Sequence, residues 1–579
     1  MMRCPAILLL LISLFLGSQA MAQTKKPTFS VGGNAGISYE GYGLSMNPAG
    51  NYYAARRPWN LLRFNFSPTF NFGKLSLPFN MNFTPMQTNF TTPSTGGFGS
   101  IGSGSQNLWQ FLTNPLNNIG VSPTYKWAKL QLGTQYLNYS ELSTGDIGLF
   151  GYGFELNPGK FRVKFFNGVS QRPINYDAFA NPQIIGAYQR NNWMVQLGME
   201  EEGKYTLNLN FAKGKDKINS VNPAPPSSSS ILPQEGIVAG IVLKTTIAKD
   251  YYFNTELAQS IYTMDQMAAI SVLGSKDFQP FISSRISTKS DNAFTASIGR
   301  KTSKLDLGFT TKYIGAGFQT AGYPFMQPDR FDYTVNTRFN AWKGKMNITA
   351  SFGQRINNVS NNTIKTKQLI ANTNVFVQFS EKFSLNANYN NMGFEAFGSF
   401  ALRNVSNDIS ISPSYNWKST NIMHLLTGNY SFSKYKEQLF YNPFTLTDNV
   451  SNTALITYLP SFLQKKYTTD FTLMYFTNNI TSLNIHNSMF SATSNVGIPL
   501  AKDKIKATGQ LMYTYNVLNG ISQGNNIIAT AGCDWNISKK MKWNLSLIGN
   551  LFKYSSAFTP PNAQYLESTL RTSLVYSFK

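Results

Sequence analysis

Cysteine and histidine are scarce in this chain, and their scarcity excludes several kinds of site. The 579 residues include two cysteines and two histidines. Cys4 falls in a segment that we expect to be removed, so Cys533 would be left without an intramolecular disulfide partner or a cysteine metal cluster. His424 and His486 are far apart in sequence and no carboxylate cluster accompanies them. We therefore expect no metal, no cofactor and no catalytic centre, and we predict that the protein is not an enzyme.

Charge is also sparse, and what there is has mostly one sign. Charged residues make up 13% of the chain, about half the usual share, which is low for a soluble protein of this length. Lysine and arginine total 50 against 27 aspartate and glutamate, a formal net charge of +23. In a chain predicted to be secreted, this excess favours anionic lipid headgroups or an anionic solute, and we expect no nucleic-acid partner.

Long apolar runs are absent except at the start. Arg3 precedes an apolar run, Ala6–Leu16, which is too short to span a bilayer as a helix. Ala20-Met21-Ala22 fits the small-x-small rule for signal cleavage. These features predict a signal peptide over residues 1–22 and a mature chain over 23–579. No later run reaches the length of about 18 apolar residues that a transmembrane helix needs.

What fills the rest of the chain is alternation. From Phe29 onward, segments of roughly ten residues alternate apolar with polar side chains and end in turns. In one of them Phe383, Leu385, Ala387 and Tyr389 alternate with Ser384, Asn386, Asn388 and Asn390. A strand sends successive side chains to opposite faces, so each segment has one apolar and one polar face. With 14% aromatic residues, the pattern predicts an all-β fold, a single large antiparallel transmembrane β-barrel over residues 23–579.

Lysine-containing turns give the number of strands. Twelve recur along the chain: Gly73-Lys74, Ala128-Lys129, Asn157–Lys160, Glu202–Lys204, Ala248–Asp250, Ser303-Lys304, Lys343–Lys345, Glu381-Lys382, Lys418, Lys465-Lys466, Lys502–Lys504 and Ser538–Lys540. Longer links lie between them, the largest being Thr84–Gly120 and Gly214–Gln234. Twelve short periplasmic turns, with longer extracellular loops and both chain ends periplasmic, imply about 26 strands, within a range of roughly 22 to 28.

The mature chain resembles Gram-negative outer-membrane β-barrel proteins, and its Asn-, Phe-, Tyr- and Lys-rich composition resembles those of Bacteroidota. The resemblance implies integral insertion in the outer membrane by the barrel-assembly machinery. Tyr576 and Phe578 in the last strand resemble the aromatic assembly signal of that class, although Lys579 follows where the aromatic residue is usually last. The plug of TonB-dependent transporters and the periplasmic domains of insertion and assembly barrels find no counterpart, so no subfamily is indicated.

Seven basic residues fall on the polar phase of their predicted strands and should face the lumen. They are Arg63, Arg162, Lys164, Arg338, Lys506, Lys542 and Arg571. One interpretation is a cationic wall that favours anions or an anionic partner. The alternative is that charged lumen residues are ordinary, since Glu155, Glu256 and Asp306 share the same phase.

One loop near Asn47-Pro48 is a candidate binding loop. It combines aromatic and basic side chains: Tyr52, Tyr53, Arg56, Arg57 and Trp59. Aromatic rings beside arginines can bind sugars or a protein partner. The alternative is that they are interfacial aromatic residues flanking a first loop.

Two functions remain open from the sequence. The first is a gated or partner-plugged pore or translocation channel, because a barrel wider than a porin leaks unless loops or a partner fill it. Thr84–Gly120 and Gly214–Gln234 are the loops that we expect to close it. The alternative is a structural scaffold barrel of an outer-membrane complex, without transport of its own. Expected partners are outer-membrane lipids with anionic headgroups, the assembly machinery, and a plug or surface lipoprotein.

Overall fold

A computed structural model describes most of the predicted mature chain. The described residues are 29–50, 52–88, 117–179, 184–226, 231–271, 281–320, 326–361, 365–396, 402–439, 445–464, 466–558, 560 and 562–578. The predicted signal peptide over residues 1–22 and most of the link Thr84–Gly120 lie outside these ranges, so neither prediction is tested.

The described chain consists of β-strands joined by turns and loops, as the alternation of apolar and polar residues predicts. The strands are β1 (Phe29–Asn47), β2 (Asn60–Phe72), β3 (Leu75–Thr88), β4 (Asn118–Val121), β5 (Thr124–Tyr125), β6 (Ala128–Leu137), β7 (Ile147–Leu156), β8 (Phe161–Gln171), β9 (Gln189–Glu201), β10 (Tyr205–Lys217), β11 (Glu235–Ile247), β12 (Tyr251–Thr263), β13 (Thr288–Lys301), β14 (Leu305–Ile314), β15 (Arg330–Ala341), β16 (Met346–Asn357), β17 (Thr366–Gln378), β18 (Phe383–Ala396), β19 (Leu402–Lys418), β20 (Ile422–Leu439), β21 (Thr445–Phe462), β22 (Thr468–Ile480), β23 (Ile485–Leu500), β24 (Ile505–Leu518), β25 (Ile521–Asn536), β26 (Met541–Tyr554) and β27 (Gln564–Phe578). Short 3₁₀ turns occupy Ile218–Ser220, Trp342–Gly344 and Thr481–Leu483. Among the described residues, no helix is long and apolar enough to cross a membrane.

The sheet closes on itself. Successive strands pair antiparallel around the wall, and β1 pairs with β27 from Gly33 opposite Phe578 to Asn47 opposite Gln564. The short strands β4 and β5 each pair with both β3 and β6, so together they occupy one place in the wall. The 27 strands therefore make a closed barrel with 26 wall positions. This confirms the predicted fold and strand number.

The register gives the barrel two chemically different faces. Directly opposite residues share a face, so Ile37 on β1 lies beside Phe64 on β2 and Leu574 on β27. That face carries most of the large exposed apolar side chains, among them Leu209, Leu257, Leu307, Leu473 and Leu547. The other face carries mainly amide, hydroxyl and charged side chains. Because the apolar face is exposed, it is the outer, lipid-facing surface, and the polar face lines the lumen.

Aromatic residues on the outer surface gather near the short turns. Trp127 and Trp342 lie in turns, and Trp417, Trp535 and Trp543 lie within a few residues of strand ends beside turns. Such a belt is typical of a membrane–water interface, where the apolar ring contacts lipid and the polar atom contacts water. The belt marks one edge of the membrane on the barrel wall.

Turns and loops lie at opposite ends of the barrel. The twelve predicted lysine turns lie in or beside short links at one end, and the start of β1 and the end of β27 lie at that same end. Links at the other end are long in the first half of the chain, as in 264–287. In the second half, 358–365 and 555–563 are also long, whereas 481–484 and 519–520 are as short as the turns. The expected asymmetry therefore holds for the first half and for part of the second. The link predicted over Gly214–Gln234 is also shorter than expected, because β10 continues to Lys217.

Candidate channel lumen

The β6–β7 loop, residues 138–146, is the main feature of the lumen. Its tip residue Leu142 is 0% exposed. It packs in an apolar cluster with lumen-facing residues of four neighbouring strands and with one residue of the β14–β15 loop: Val238, Ala258, Ala293, Ile314 and Phe318. An apolar patch on a lumen wall is costly in water, and burying Leu142 on it removes that cost.

Polar contacts fasten the same loop to distant strands. The backbone N–H of Leu142 donates to Glu256 Oε1 at 2.8 Å, and Lys312 forms an ion pair with Glu141. Thr320 Oγ1 donates to the carbonyl oxygen of Ser143 at 2.7 Å. Glu256 lies on β12 and Lys312 on β14, far around the wall from β6 but on the same polar face. The loop therefore lies inside the lumen and covers this part of the wall.

Tyr139 secures the near end of the loop. Its ring is buried with Leu149, Phe166 and Met194, and Lys164 Nζ lies 5.5 Å from the ring centroid. Gln196 Nε2 donates to its carbonyl oxygen at 3.0 Å. Burial raises the pKa of the Tyr139 hydroxyl, and the nearby carboxylate of Glu155 raises it further. The ring therefore stays neutral and acts as a packing anchor.

A cavity of about 910 Å³ lies between the inward loop and the wall. Both charge signs line it. The carboxylates are Glu141, Asp146 and Glu256, and the cations are Lys244, Lys312 and Arg330. The rest of its lining is mostly amide and hydroxyl, from residues such as Asn254 and Thr310. The cavity is thus hydrophilic, as part of an aqueous passage would be.

The seven predicted basic residues all lie on the polar face, in two separated regions. Arg63, Lys506, Lys542 and Arg571 belong to β2, β24, β26 and β27, which surround the closing seam. Arg162 and Lys164 lie on β8, and Arg338 on β15. Carboxylates accompany several of them: Arg162 Nε contacts Glu200 Oε2 at 3.1 Å, Lys164 lies opposite Glu155, and Arg338 lies opposite Asp306. A cationic wall that favours anions or an anionic partner stays a prediction.

The candidate binding loop folds onto the barrel itself. Tyr53 stacks on Tyr565 with ring centroids 3.7 Å apart, and Arg56 Nη2 lies 2.6 Å from Glu567 Oε2. Arg57 Nη1 lies 3.2 Å from Glu40 Oε1. The other two members also contact β1 or β27: the Tyr52 hydroxyl donates to the carbonyl oxygen of Gln564 at 2.9 Å, and the Trp59 ring lies 5.9 Å from that of Tyr42.

These contacts define the loop as a clasp across the closing seam between β1 and β27. The ion pair with Glu567 raises the pKa of Arg56, because the hydrogen-bonded carboxylate favours the charged guanidinium. Burial raises the pKa of the Tyr53 hydroxyl, which stays protonated against Tyr565. The rings and guanidinium groups are engaged by the barrel wall. Sugar or partner binding by this loop stays a prediction.

Tyr576 and Phe578, the predicted assembly signal, lie on the outer face of β27 with ring centroids 5.1 Å apart. They face the lipid beside Ala35 and Gly33 of β1. Their role in assembly stays a prediction, and Lys579 lies beyond the last described residue.

The structure also brings one histidine next to a serine. His424 Nε2 lies 3.0 Å from Ser419 Oγ, and its Nδ1 lies 2.7 Å from the Tyr458 hydroxyl. The imidazole stacks on Trp417 with centroids 4.7 Å apart, within the outer aromatic belt. The group that orients the imidazole is a phenol, whereas a nucleophilic serine site uses a carboxylate or amide there.

Sequence reasoning missed the inward loop. It expected the links Thr84–Gly120 and Gly214–Gln234 to close the lumen. In the described part of the second link, Gln234 accepts from Arg190 Nη2 at 2.8 Å at the rim, beside its neighbouring strands. The signals in residues 138–146 are Tyr139 and Leu142, two large side chains in an otherwise polar loop. Neither shows which part of the wall it packs against.

Fold and lumen together define the class. A closed antiparallel barrel with an even number of wall positions, an apolar outer surface, an aromatic belt and a polar interior is an integral β-barrel of the outer membrane. No protein-family model and no curated protein matches the chain.

Several solved structures of outer-membrane barrels are similar to the chain at low sequence identity. The P pilus usher (PapC) translocation pore has a TM-score of 0.39 and 9% identity, over 94% of this chain and 99% of the usher chain. The FrpB iron transporter from Neisseria meningitidis has 0.39 and 10%, over 94% and 82%. OccAB4 of Acinetobacter baumannii has 0.29 and 10%, over 65% and 97%. All three TM-scores are below 0.5, so neither the family nor the function of this chain follows from them.

Proposed function

We propose that the protein is a gated outer-membrane channel, in which the β6–β7 loop narrows the lumen. The observation that supports this proposal is the loop itself: Leu142 and its polar neighbours fasten it to the lumenal wall from β8 to β14. A large solute would pass only if the loop left that wall or if the opposite side offered enough room.

The size of the barrel supports a passage. Barrel diameter grows with strand number, and barrels of about 16 to 18 strands already leave an aqueous channel. Farther along the wall, on β18 to β20, the lumenal face carries hydrogen-bonded amides and hydroxyls. Asn388 Nδ2 donates to Ser410 Oγ at 3.2 Å, and Asn429 Nδ2 donates to Ser412 Oγ at 2.7 Å. Such a wall suits a hydrated solute.

The fastening of the loop suits a gate. The buried side chains of Tyr139 and Leu142, a few hydrogen bonds and the ion pair between Lys312 and Glu141 hold it. Glu141 is already 57% exposed, so release of the loop exposes no buried carboxylate there. If the docked loop is more stable than the released loop by a few kcal/mol, the released state is a minor but populated state. A ligand that binds the released state can then favour it. A plug protein that binds the released loop would open or fill the lumen by the same equilibrium.

A scaffold barrel is the second candidate, and the extracellular loops favour it. Several loop residues expose large apolar side chains to water, including Phe179 at 98% and Ile286 at 73%. Ile185 and Ile270 are also exposed. Apolar residues exposed outside the membrane are typical of surfaces that bind a protein. A surface lipoprotein is the partner that we propose for this end of the barrel.

Further aspects of the proposal concern the cellular setting. We propose anionic lipid headgroups as partners of the turn lysines, insertion by the barrel-assembly machinery through Tyr576 and Phe578, and a Bacteroidota origin from the Asn-, Phe-, Tyr- and Lys-rich composition. We also propose that the protein has no catalytic function and that Ser419 and Tyr458 hold His424 in the aromatic belt.

Planar-bilayer recording of the purified mature protein tests the channel proposal. We expect single-channel steps whose size fluctuates between a small and a large level as the loop docks and leaves. A correctly inserted barrel that carries no current under any applied voltage would overturn the proposal and favour the scaffold function, for which a co-purifying surface protein is the expected observation.

A further inference from the structure

A second lumenal pocket lies at the closing seam, away from the inward loop. Its volume is about 480 Å³, and residues of β1, β2 and β24–β27 line it. We call it the seam pocket. It contains two of the predicted lumenal arginines, Arg63 and Arg571, together with Glu40 and Asp534. The channel proposal assigns no role to it.

Small polar residues form the floor of the seam pocket. In register along the wall lie Ser38 on β1, Ser573 on β27 and Asn544 on β26. The adjacent row contains Gly532, where an added Cβ would lie 2.3 Å from Thr508 Oγ1. The absence of a side chain there recesses the wall beside the Thr508 hydroxyl. The floor therefore offers hydroxyl and amide donors in a concave surface.

Two guanidinium groups project over this floor with donors to spare. Arg571 donates through Nε to Glu40 Oε2 at 2.9 Å, and within the described part of the chain its Nη groups have no hydrogen-bond acceptor. Arg63 is exposed, and among the described residues its guanidinium has no hydrogen bond or ion pair. Arginine presents five N–H donors in a planar fork, which suits carboxylate and phosphate oxygens. Two such forks in one pocket can together donate to the oxygens of one anionic group.

The local carboxylates do not cancel these cations. Glu40 is shared, because Arg57 Nη1 also contacts it at 3.2 Å. Asp534 lies at the other end of the pocket. Arg63 is on β2 and Asp534 is on β25, and the strands β1, β27 and β26 lie between them. Four strand spacings amount to roughly 19 Å of wall. Glu40 is thus shared by Arg57 and Arg571, and Glu567 is hydrogen-bonded to Arg56, while among the described residues no carboxylate forms an ion pair with Arg63.

We propose that the Arg63–Arg571 end of the seam pocket binds the oxyanion group of a small solute, a carboxylate or a phosphate. Guanidinium forks would hold its oxygens in charge-assisted hydrogen bonds, and hydroxyls of the floor, such as Ser38 and Ser573, would donate to the remaining lone pairs. This inference names the solute class of the proposed channel, and it rests on that proposal for the route by which the solute arrives.

Calorimetric titration of the full mature chain in detergent, at low salt and neutral pH, tests the site with inorganic phosphate and with acetate as probes. We expect saturable binding of at least one probe, and the probe that binds identifies the anion class. Arg63→Gln should weaken it by at least about tenfold, since a hydrogen bond to a charged group contributes that much. Arg338→Gln, which removes a lumenal arginine on β15, is the matched control and should leave binding unchanged.

Three results would overturn the inference: no saturable binding by either probe, full binding in Arg63→Gln, or equal weakening in Arg338→Gln. Heat-modifiable migration in electrophoresis shows whether each variant is folded. Arg63→Lys is the second variant if Arg63→Gln does not fold, and it should also weaken binding, because lysine lacks the planar fork. Currents without anion binding would overturn this site alone, whereas binding without currents would overturn the channel proposal and leave the site.

Discussion

Replacing Leu142 by alanine should loosen the inward loop and alter the current through the barrel. Leu142 is fully buried in the cluster with Val238, Ala258, Ala293 and Ile314. Truncating a buried leucine costs about 2–5 kcal/mol. A loop can relax around the gap more easily than a closed core, so we expect about 2–3 kcal/mol here. The equilibrium between docked and released loop should then shift by roughly 30-fold to 150-fold towards release.

Single-channel recording measures this shift as the fraction of time spent at the larger conductance. We expect long large-conductance events in Leu142→Ala that are rare in the unaltered protein. Leu547→Ala is the matched control, because Leu547 lies on the lipid face at 51% exposure and touches no lumenal loop. It should leave the currents unchanged.

Cysteine labelling measures release of the loop independently of the currents. Ser143 is fully buried in the docked loop. In a Cys533→Ala background, a Ser143→Cys thiol should react slowly with a water-soluble maleimide, and much faster when Leu142→Ala is added. If labelling accelerates while the currents stay the same, the loop does not gate the lumen. If labelling does not accelerate, Leu142 is not the anchor.

Two further predictions concern the seam and the strand register. Glu567→Ala should lower the free energy of unfolding by about 2–4 kcal/mol in a urea titration, because three donors lose their acceptor. They are Arg56 of the clasp at 2.6 Å, the buried Tyr42 hydroxyl at 2.5 Å and the partly buried Asn550 amide at 2.9 Å. An unchanged midpoint would show that the clasp does not stabilise the seam. In vesicles, Cys533 on the lipid face should react with a membrane-soluble maleimide and not with a charged one. Thr530→Cys, on the lumenal face of the same strand, should show the reverse preference, and equal reactivity of the two would contradict the register.

Local pattern predicted the architecture because each strand of a membrane barrel repeats the same physical requirement. Lipid demands an apolar outward side chain at every second position, and the lumen permits a polar one between. The phase of Arg63 could therefore be read from Leu62 and Phe64 alone. The same reasoning located the turns, since a lysine beside a glycine or aspartate interrupts the alternation. What it could not do was assign partners to the arginines that it placed in the lumen.

The fate of the candidate binding loop shows why. Tyr53 and Arg56 looked available in the sequence, yet Tyr565 and Glu567, more than five hundred residues later, occupy them. Only closure of the sheet brings β27 beside β1. The sequence near Tyr53 therefore does not indicate that Tyr565 and Glu567 will lie next to it. Aromatic and basic loop residues serve equally well for binding a ligand and for fastening a loop, so composition does not distinguish the two uses.

By itself, then, the sequence determined the kind of barrel, the number of strands and the face on which each strand residue lies, because these follow from a two-residue period and from turns that are local in the chain. Tertiary structure decided which loop enters the lumen, which charges are neutralised and which are left free. Those outcomes depend on contacts that form only when the barrel closes. Leu142 then packs against Ile314 of a distant strand, and Arg571 on β27 bonds to Glu40 on the neighbouring β1. Distance along the chain carries no information about such contacts.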